Sequence, residues 1–388
     1  MLHVLMRSVE LKMRESEIKA LFASLNVDDD VQRREIYRIL NFQHGTKVRT
    51  YGNNPSFYIT DSFDKNLYQI EEFVRLVERT KQLPYSIRKE RNGGISITPD
   101  ESISKSIRYI KHWVRYHQTN LVYSPHVELF FQRILSSCYP YEYSDGIPDA
   151  IYFGNKTLAE MGNDFVIALR HATGTSEFHK KINDQEENSY RNFKSSVQYV
   201  NQLFSRHSRL LYIRIDLSIE YLYIPNDDTA LQQILAYHAK FRKLISRKEY
   251  LFAHLDGYIA HVEYGTEKGH HIHMSLFYYE QETRADYIIS EDVGNAWIKI
   301  TEGIGKWQST NRDRHKPSCN ALGRIHRDNT EKRYCLYYTL WYTVKSDQYL
   351  KFKYHKDQRL FFRGGIGYKR VGRKIKAFSR KHPSKAVQ

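Results

Sequence analysis

The sequence predicts an α+β chain in four parts: a mostly helical N-terminal domain over residues 1–180, a linker or connecting helix over 181–205, a sheet-centred domain over 206–368 and a basic tail over 369–388. Apolar residues recur at helical spacing through the first half. β-Branched and aromatic runs alternate with helical stretches through the second. Between the two, Lys180 to His207 is polar and charged, with Asp184-Gln185-Glu186-Glu187-Asn188 at its centre.

In the first half, Ser16 to Leu25 sets Ile18, Leu21, Phe22 and Leu25 on one helical face. Asp28-Asp29-Asp30 is placed to cap a second helix through Ile36 and Leu40. Asn53-Asn54-Pro55 marks a turn. Leu67 to Leu83 is amphipathic through Ile70, Phe73, Leu76 and Val77. After the break at Asn92-Gly93-Gly94, Ser102 to Tyr116 and Pro125 to Ser137 read as two more helices. His117, His126, His171 and His179 are not spaced as a site.

In the second half, Leu210 to Ile219 is apolar enough for a central strand. Asp227-Asp228 opens a helix through Ile234, Leu235, Tyr237, Phe241 and Leu244. Phe252 to Tyr264 is a second strand segment, and Gly265-Thr266-Glu267-Lys268-Gly269 reads as a hairpin connection into a third strand, from His270 to Tyr278. A helical region follows over 286–306, then a strand-like stretch over 319–325, a helix opening at Thr330, and a short last strand over 360–362.

The net charge of +16 is concentrated at one end. From Lys351 onward thirteen Lys or Arg face the single acid Asp357, which is the footprint of a polyanion binder. Three scattered cysteines, Cys138, Cys319 and Cys335, argue against a disulfide framework or a thiolate zinc site and fit a reducing compartment. No secretory signal and no 18-residue apolar window is present, so the expected location is the cytoplasm, without a membrane partner.

Two constellations carry chemistry. His271 and His273 alternate with Ile272 and Met274, so the two imidazoles share one face of their strand. With the turn centred on Glu267, Glu263 falls opposite His271 and His261 opposite His273. Two imidazoles and a carboxylate suit a divalent ion such as Mg²⁺ or Mn²⁺, with positions open to a substrate oxygen. The second constellation is Tyr338-Thr339-Leu340-Trp341-Tyr342-Thr343-Val344-Lys345. Tyr338 and Tyr342 neighbour one another on a helical face, and Lys345 lies close to Tyr342. A phenol is a poor nucleophile near its usual pKa of about 10, and an adjacent ammonium favours the phenolate.

A His-hydrophobic-His strand followed by a Tyr-x-x-x-Tyr-x-x-Lys helix resembles the HUH endonuclease superfamily, above all the inovirus-type and prophage rolling-circle replication initiators. The likeness covers roughly residues 205–370. It implies an antiparallel sheet of about five strands with flanking helices, and a divalent metal on His271, His273 and Glu263. It also implies a tyrosine that cuts single-stranded DNA at a replication origin, in a bacterial host whose helicase and polymerase are candidate partners. Relatives with two tyrosines usually carry Lys just before the second, where this chain has Trp341. Tyr342 keeps the Tyr-x-x-Lys spacing with Lys345 and is therefore assigned as first nucleophile, with Tyr338 second. A relaxase or transposase would use the same chemistry. A DNA-binding regulator would keep the fold without it, and the joint presence of His271, His273, Tyr342 and Lys345 argues against such decay.

If the tail binds phosphates, truncation after Lys369 weakens single-stranded DNA binding. It also flattens the salt dependence, by roughly 0.7 in the log–log slope for each phosphate that is no longer neutralised. A filter-binding series in rising NaCl measures this, and an unchanged slope removes the tail from the interface.

Overall fold

A computed structural model describes residues 13–25, 63–91, 94–119, 121–148, 152–220, 227–265, 269–279, 286–309, 320–345, 350–352 and 359–365. The helix expected after Asp28, the turn at Asn53, the hairpin tip at Glu267, Cys319 and the basic tail lie outside these residues.

The helical periodicity of the first half becomes α1 (Glu15–Leu25), α2 (Phe63–Arg79), α3 (Ile103–Arg108), α4 (Ile110–Val114), α5 (Pro125–Ser136) and α6 (Leu158–Thr173). Side chains satisfy orphan amides at the starts of the last two. Ser124 accepts from the Val127 amide ahead of α5, and Thr157 and Glu160 form a reciprocal capping box on α6. Short strands also occur in this half: β1 (Tyr85–Lys89) pairs with β2 (Ile95–Pro99), and β4 (Tyr152–Phe153) with β5 (Lys156–Thr157). β3 (Leu121–Tyr123) pairs with a strand far downstream. The first of these pairs was legible in the alternation Ser86-Ile87-Arg88 and Ile95-Ser96-Ile97 on either side of the glycine break.

The polar stretch between the two halves belongs to one 31-residue helix, α7 (Ser176–Arg206). Its acidic middle faces solvent, while Phe193, Val197, Val200 and Phe204 recur at helical spacing and are buried. Of the linker or connecting helix expected over 181–205, the structure has the helix. A single apolar core continues across it, from Ile70 and Phe130 through Phe193 to Tyr212 and Phe277.

The second half contains β6 (Arg209–Ile219), α8 (Asp227–Arg247), β7 (Leu255–Gly265), β8 (Gly269–Tyr279), α9 (Asp286–Ile300), β9 (Gly305–Ser309), β10 (Gly323–His326), α10 (Thr330–Lys345), β11 (Leu350–Phe352) and β12 (Phe361–Arg363). The main sheet runs β10-β6-β8-β7-β12, antiparallel throughout, and β9 pairs with β6 as a sixth strand. β10 takes Arg209–Tyr212 of β6 and β9 takes Ile215–Ile219. β9 was hidden at the end of the expected 286–306 helix, which instead stops at Ile300 and passes through Gly303 at φ +95°. β11 pairs with β3 of the first half.

α8 and α9 cover one face of the sheet through Ile213, Ile215, Leu217, Ile272, Met274 and Leu276. α7 and α10 belong to the other core. α7 comes so close to β7 that a Cβ on Gly257 would meet the Tyr199 hydroxyl at 2.5 Å. Asn329 caps α10 by accepting from the Lys332 amide at 2.9 Å. The scattered cysteines argued against disulfides, yet Cys335 on α10 is disulfide-bonded; Cys138 is a free, exposed thiol.

α10 docks on α7 through a buried polar knot. Asn201 Oδ1 accepts from Arg333 Nη2 at 3.1 Å and from the Tyr337 hydroxyl at 2.5 Å, and Ser189 Oγ donates to the Val344 carbonyl at 3.2 Å. Replacing Asn201 by Ala takes an acceptor from a buried guanidinium and a buried phenol at once. The variant is expected to lose about 3 kcal/mol of stability in urea unfolding, and a loss below about 1 kcal/mol would show that this knot does not hold the helix.

Candidate metal centre

Antiparallel pairing decides which side chains meet on the sheet. Glu263 stands opposite His271 and His261 opposite His273, as a turn centred on Glu267 requires. β6 places Asp216 opposite His273 and Ser218 opposite His271, and β9 places Gln308 opposite Asp216. Opposed residues share a face. A polar row of Gln308, Asp216, His273 and His261 thus crosses the sheet, with Ser218, His271 and Glu263 beside it. His270 falls in neither row; it is buried against the Tyr264 ring, with centroids 5.0 Å apart.

Hydrogen bonding aims the three ligand atoms. Gly269 turns the chain into β8 at φ +64°, a conformation that suits glycine, and its carbonyl accepts from His271 Nδ1–H at 3.1 Å. A carbonyl only accepts, so the proton sits on Nδ1 and Nε2 keeps its lone pair. His273 Nδ1–H donates to Asp216 Oδ1 at 2.6 Å, again leaving Nε2 toward the centre. Glu263 Oε1 accepts from His261 Nδ1–H at 2.9 Å, which leaves Oε2. His273 Nε2 is then 3.2 Å from His271 Nε2 and 3.0 Å from Glu263 Oε2. All three ligand atoms lie within 4.8 Å of one another on buried side chains. Among the described residues this is the one group of His, Cys, Asp or Glu able to hold a metal ion. Each ligand has an outer partner that fixes its orientation: Asp216, His261 and the Gly269 carbonyl.

The charges are arranged for a cation. Burial works against the Glu263 carboxylate, but His273 and His261 outweigh it and hold the group well below the usual range. Asp216 is also lowered: burial opposes its charge, and His273 and Arg214 overcome it. His273, between two carboxylates, is raised to about 9 despite its burial. Burial and the neighbouring His273 charge push His271 down to about 3, so it is neutral. Without metal, one proton on His273 stands between two anions.

Helix α10 belongs to the core on this side of the sheet, and Tyr342 is buried within it beside Leu336 and Leu340. Arg214 lies on the polar face of β6, opposite Ser275, with Nε 4.0 Å from Asp216 Oδ1. Burial disfavours its charge, but Asp216, Tyr212, Tyr342 and Glu263 around it keep it cationic. No family model, curated protein or solved structure matches this chain.

The likeness to the HUH superfamily thus rests on the sequence motifs alone. Glu263, His271 and His273 come together, and Tyr342 is buried in the core on the same side of the sheet. Tyr338, one turn before it on α10, is half-buried with its ring 5.5 Å from that of Trp341, and Lys345 is buried in the last turn. Asp216 and Arg214 were not singled out from the sequence. Their signal was the alternation Tyr212, Arg214, Asp216, Ser218, a polar face on a strand read as simply apolar.

An ion entering this centre displaces the His273 proton, so binding releases one proton and tightens about tenfold per pH unit between pH 6.5 and about 9. Without metal the sign reverses for stability. The raised value means that the charged imidazole's contribution is fully present below pH 6.5 and is lost as pH rises through about 9. Mn²⁺ titration calorimetry in buffers of different ionisation enthalpy reads the proton. Asp216→Asn is expected to weaken Mn²⁺ about 10–100-fold, and an unaltered affinity would remove Asp216 from the support of the site.

Proposed function

We propose that this chain is a metal-dependent, tyrosine-type enzyme that nicks and rejoins single-stranded DNA to initiate rolling-circle replication of a phage, prophage or plasmid. One observation carries the reading: Glu263, His271 and His273 meet as a buried group able to hold a metal ion, on the side of the sheet whose core also contains Tyr342.

Glu263, His271 and His273 would hold Mg²⁺ or Mn²⁺, and the ion supplies Lewis-acid polarisation of the scissile phosphate. Tyr342 Oη would attack phosphorus as its proton passes to water, which returns one to the departing 3′ oxygen. The bond to the 3′ oxygen breaks, leaving a 5′-phosphotyrosine on the protein and a 3′-hydroxyl for a polymerase to extend. Asp216 and His261 keep the ligands oriented, and the Lys345 ammonium favours the phenolate. Tyr338, one turn away, repeats the attack on a second strand so that the DNA can be rejoined. The basic tail supplies sequence-independent phosphate contacts.

The test incubates full-length protein with a mixed pool of labelled single-stranded DNA and Mn²⁺ or Mg²⁺, followed by a denaturing gel. The expected result is a DNA-shifted protein band, absent without metal, in His271→Ala and in Tyr342→Phe. Cleavage without an adduct would replace this reading with a water-using metallonuclease.

A further inference from the structure

We propose that Arg242 and Arg359 form a phosphate clamp at the edge of the main sheet, where two guanidiniums share the ring of Phe362 and grip the backbone of a DNA strand. The choice of partner rests on the nuclease reading above. The clamp itself uses none of the metal ligands and lies on the other face of the sheet.

β12 is the last strand in the sheet order, and alternation divides its two phenylalanines between the faces. Phe361 pairs with His261, and their ring centroids are 6.4 Å apart. Phe362 pairs with Ala260 and joins the core beneath α8. There the guanidinium carbon of Arg242, from α8, lies 4.6 Å from the centre of the Phe362 ring. That of Arg359, just ahead of β12, lies 5.3 Å from the same centre. Arg359 is held by Nε–H, which donates to the Phe361 carbonyl at 2.9 Å. His238, one turn before Arg242 on α8, packs edge-on against Phe362 at 4.7 Å. Tyr258 shares the Ala260 face of β7 and is half-buried. Burial raises its phenol, and the charges of Arg242 and Arg359 beside it act the other way.

Two like charges over one ring repel unless an anion joins them. Among the described residues neither Arg242 nor Arg359 has an ion pair. α8 offers none, with five Lys or Arg and no acid from Thr229 to Lys248. The Nε of Arg242 is buried without a hydrogen-bond partner, an uncommon state for a charged donor. Stacking on a ring fixes the plane of a guanidinium and leaves its in-plane donors for a ligand. Those forks match the non-bridging oxygens of a phosphate, and the Tyr258 hydroxyl adds a further donor. Arg359 is exposed, so the clamp opens to solvent as a site for a continuous strand must. In sequence, the basic tail follows β12 directly.

The test measures fluorescence anisotropy of a labelled oligothymidylate with the full chain in EDTA and rising NaCl. Exchanging both arginines, Arg242→Gln with Arg359→Gln, is expected to weaken binding roughly tenfold or more and to lower the log–log salt slope by roughly 0.7 for one phosphate no longer neutralised. Arg359→Gln alone, at an exposed side chain, carries the test if the double variant does not fold. Arg359→Lys, which keeps the charge without the fork, should retain the slope and lose part of the affinity. Lys19→Gln, an exposed cation on α1, should change neither. An unaltered slope and affinity in the arginine variants overturns the clamp, and so does an equal loss in Lys19→Gln, which would make the binding diffuse. Inorganic phosphate that binds the parent and not the variants, with oligothymidylate unaffected, would make this a small-anion site and overturn the DNA partner. With EDTA present the outcome is independent of nicking: a chain that nicks DNA but keeps its slope retains the nuclease reading and loses the clamp.

Discussion

The register between β7 and β8 is the constraint on which the rest of this site depends. Side chains alternate strictly along a strand, so a slip of one residue would send Glu263 to the opposite face and bring Tyr264 or Val262 among the histidines. Two features fix the register. The turn returns through Gly269 at positive φ, and Val262, Ile272, Met274 and Leu276 must all reach the core under α8 and α9. The apolar face therefore does more than hold the sheet together. It indexes the polar face, because every residue it captures on one side settles the position of a ligand on the other.

That polar face is costly to build. Asp216, His273, Glu263, His261 and Arg214 are all largely withdrawn from water, where isolated charges are strongly disfavoured. The arrangement is tolerable because the charges alternate. Carboxylate, imidazolium and carboxylate follow one another through short hydrogen bonds, and Arg214 stands against the carboxylate at one end. A chain of this kind is poised rather than relaxed. It holds its carboxylates ionised and confines a single displaceable proton to the place where an ion would sit.

Much of this was legible in the sequence, and what was not has identifiable causes. Strict alternation around His271 and His273, with a turn whose glycines set its length, was enough to place Glu263 and His261 opposite them. The α10 helix and its Tyr338, Tyr342 and Lys345 followed from helical spacing. Asp216 and Arg214 escaped because their strand is so rich in Leu and Ile that its polar face looked incidental. The sequence left 181–205 open between a linker and a connecting helix because the first half of α7 buries little; the apolar stripe that commits it to the core begins only near Ser189 and Tyr190. β9 was masked by the helix before it, and the partnership of β3 with β11 joins segments that no local pattern can relate.

That last pairing bears on how the molecule is made. Leu121–Tyr123 emerges from the ribosome more than two hundred residues before its partner Leu350–Phe352 and the edge strand Phe361–Arg363. Contacts between such distant segments are slow to form and cannot begin until both are present. The first half can build its own helices during translation, but the sheet edge beside His261 and the pairing of β3 wait for strands made much later. A nascent chain therefore carries its ligand strands, β7 and β8, for some time before β12 covers the sheet edge beside His261.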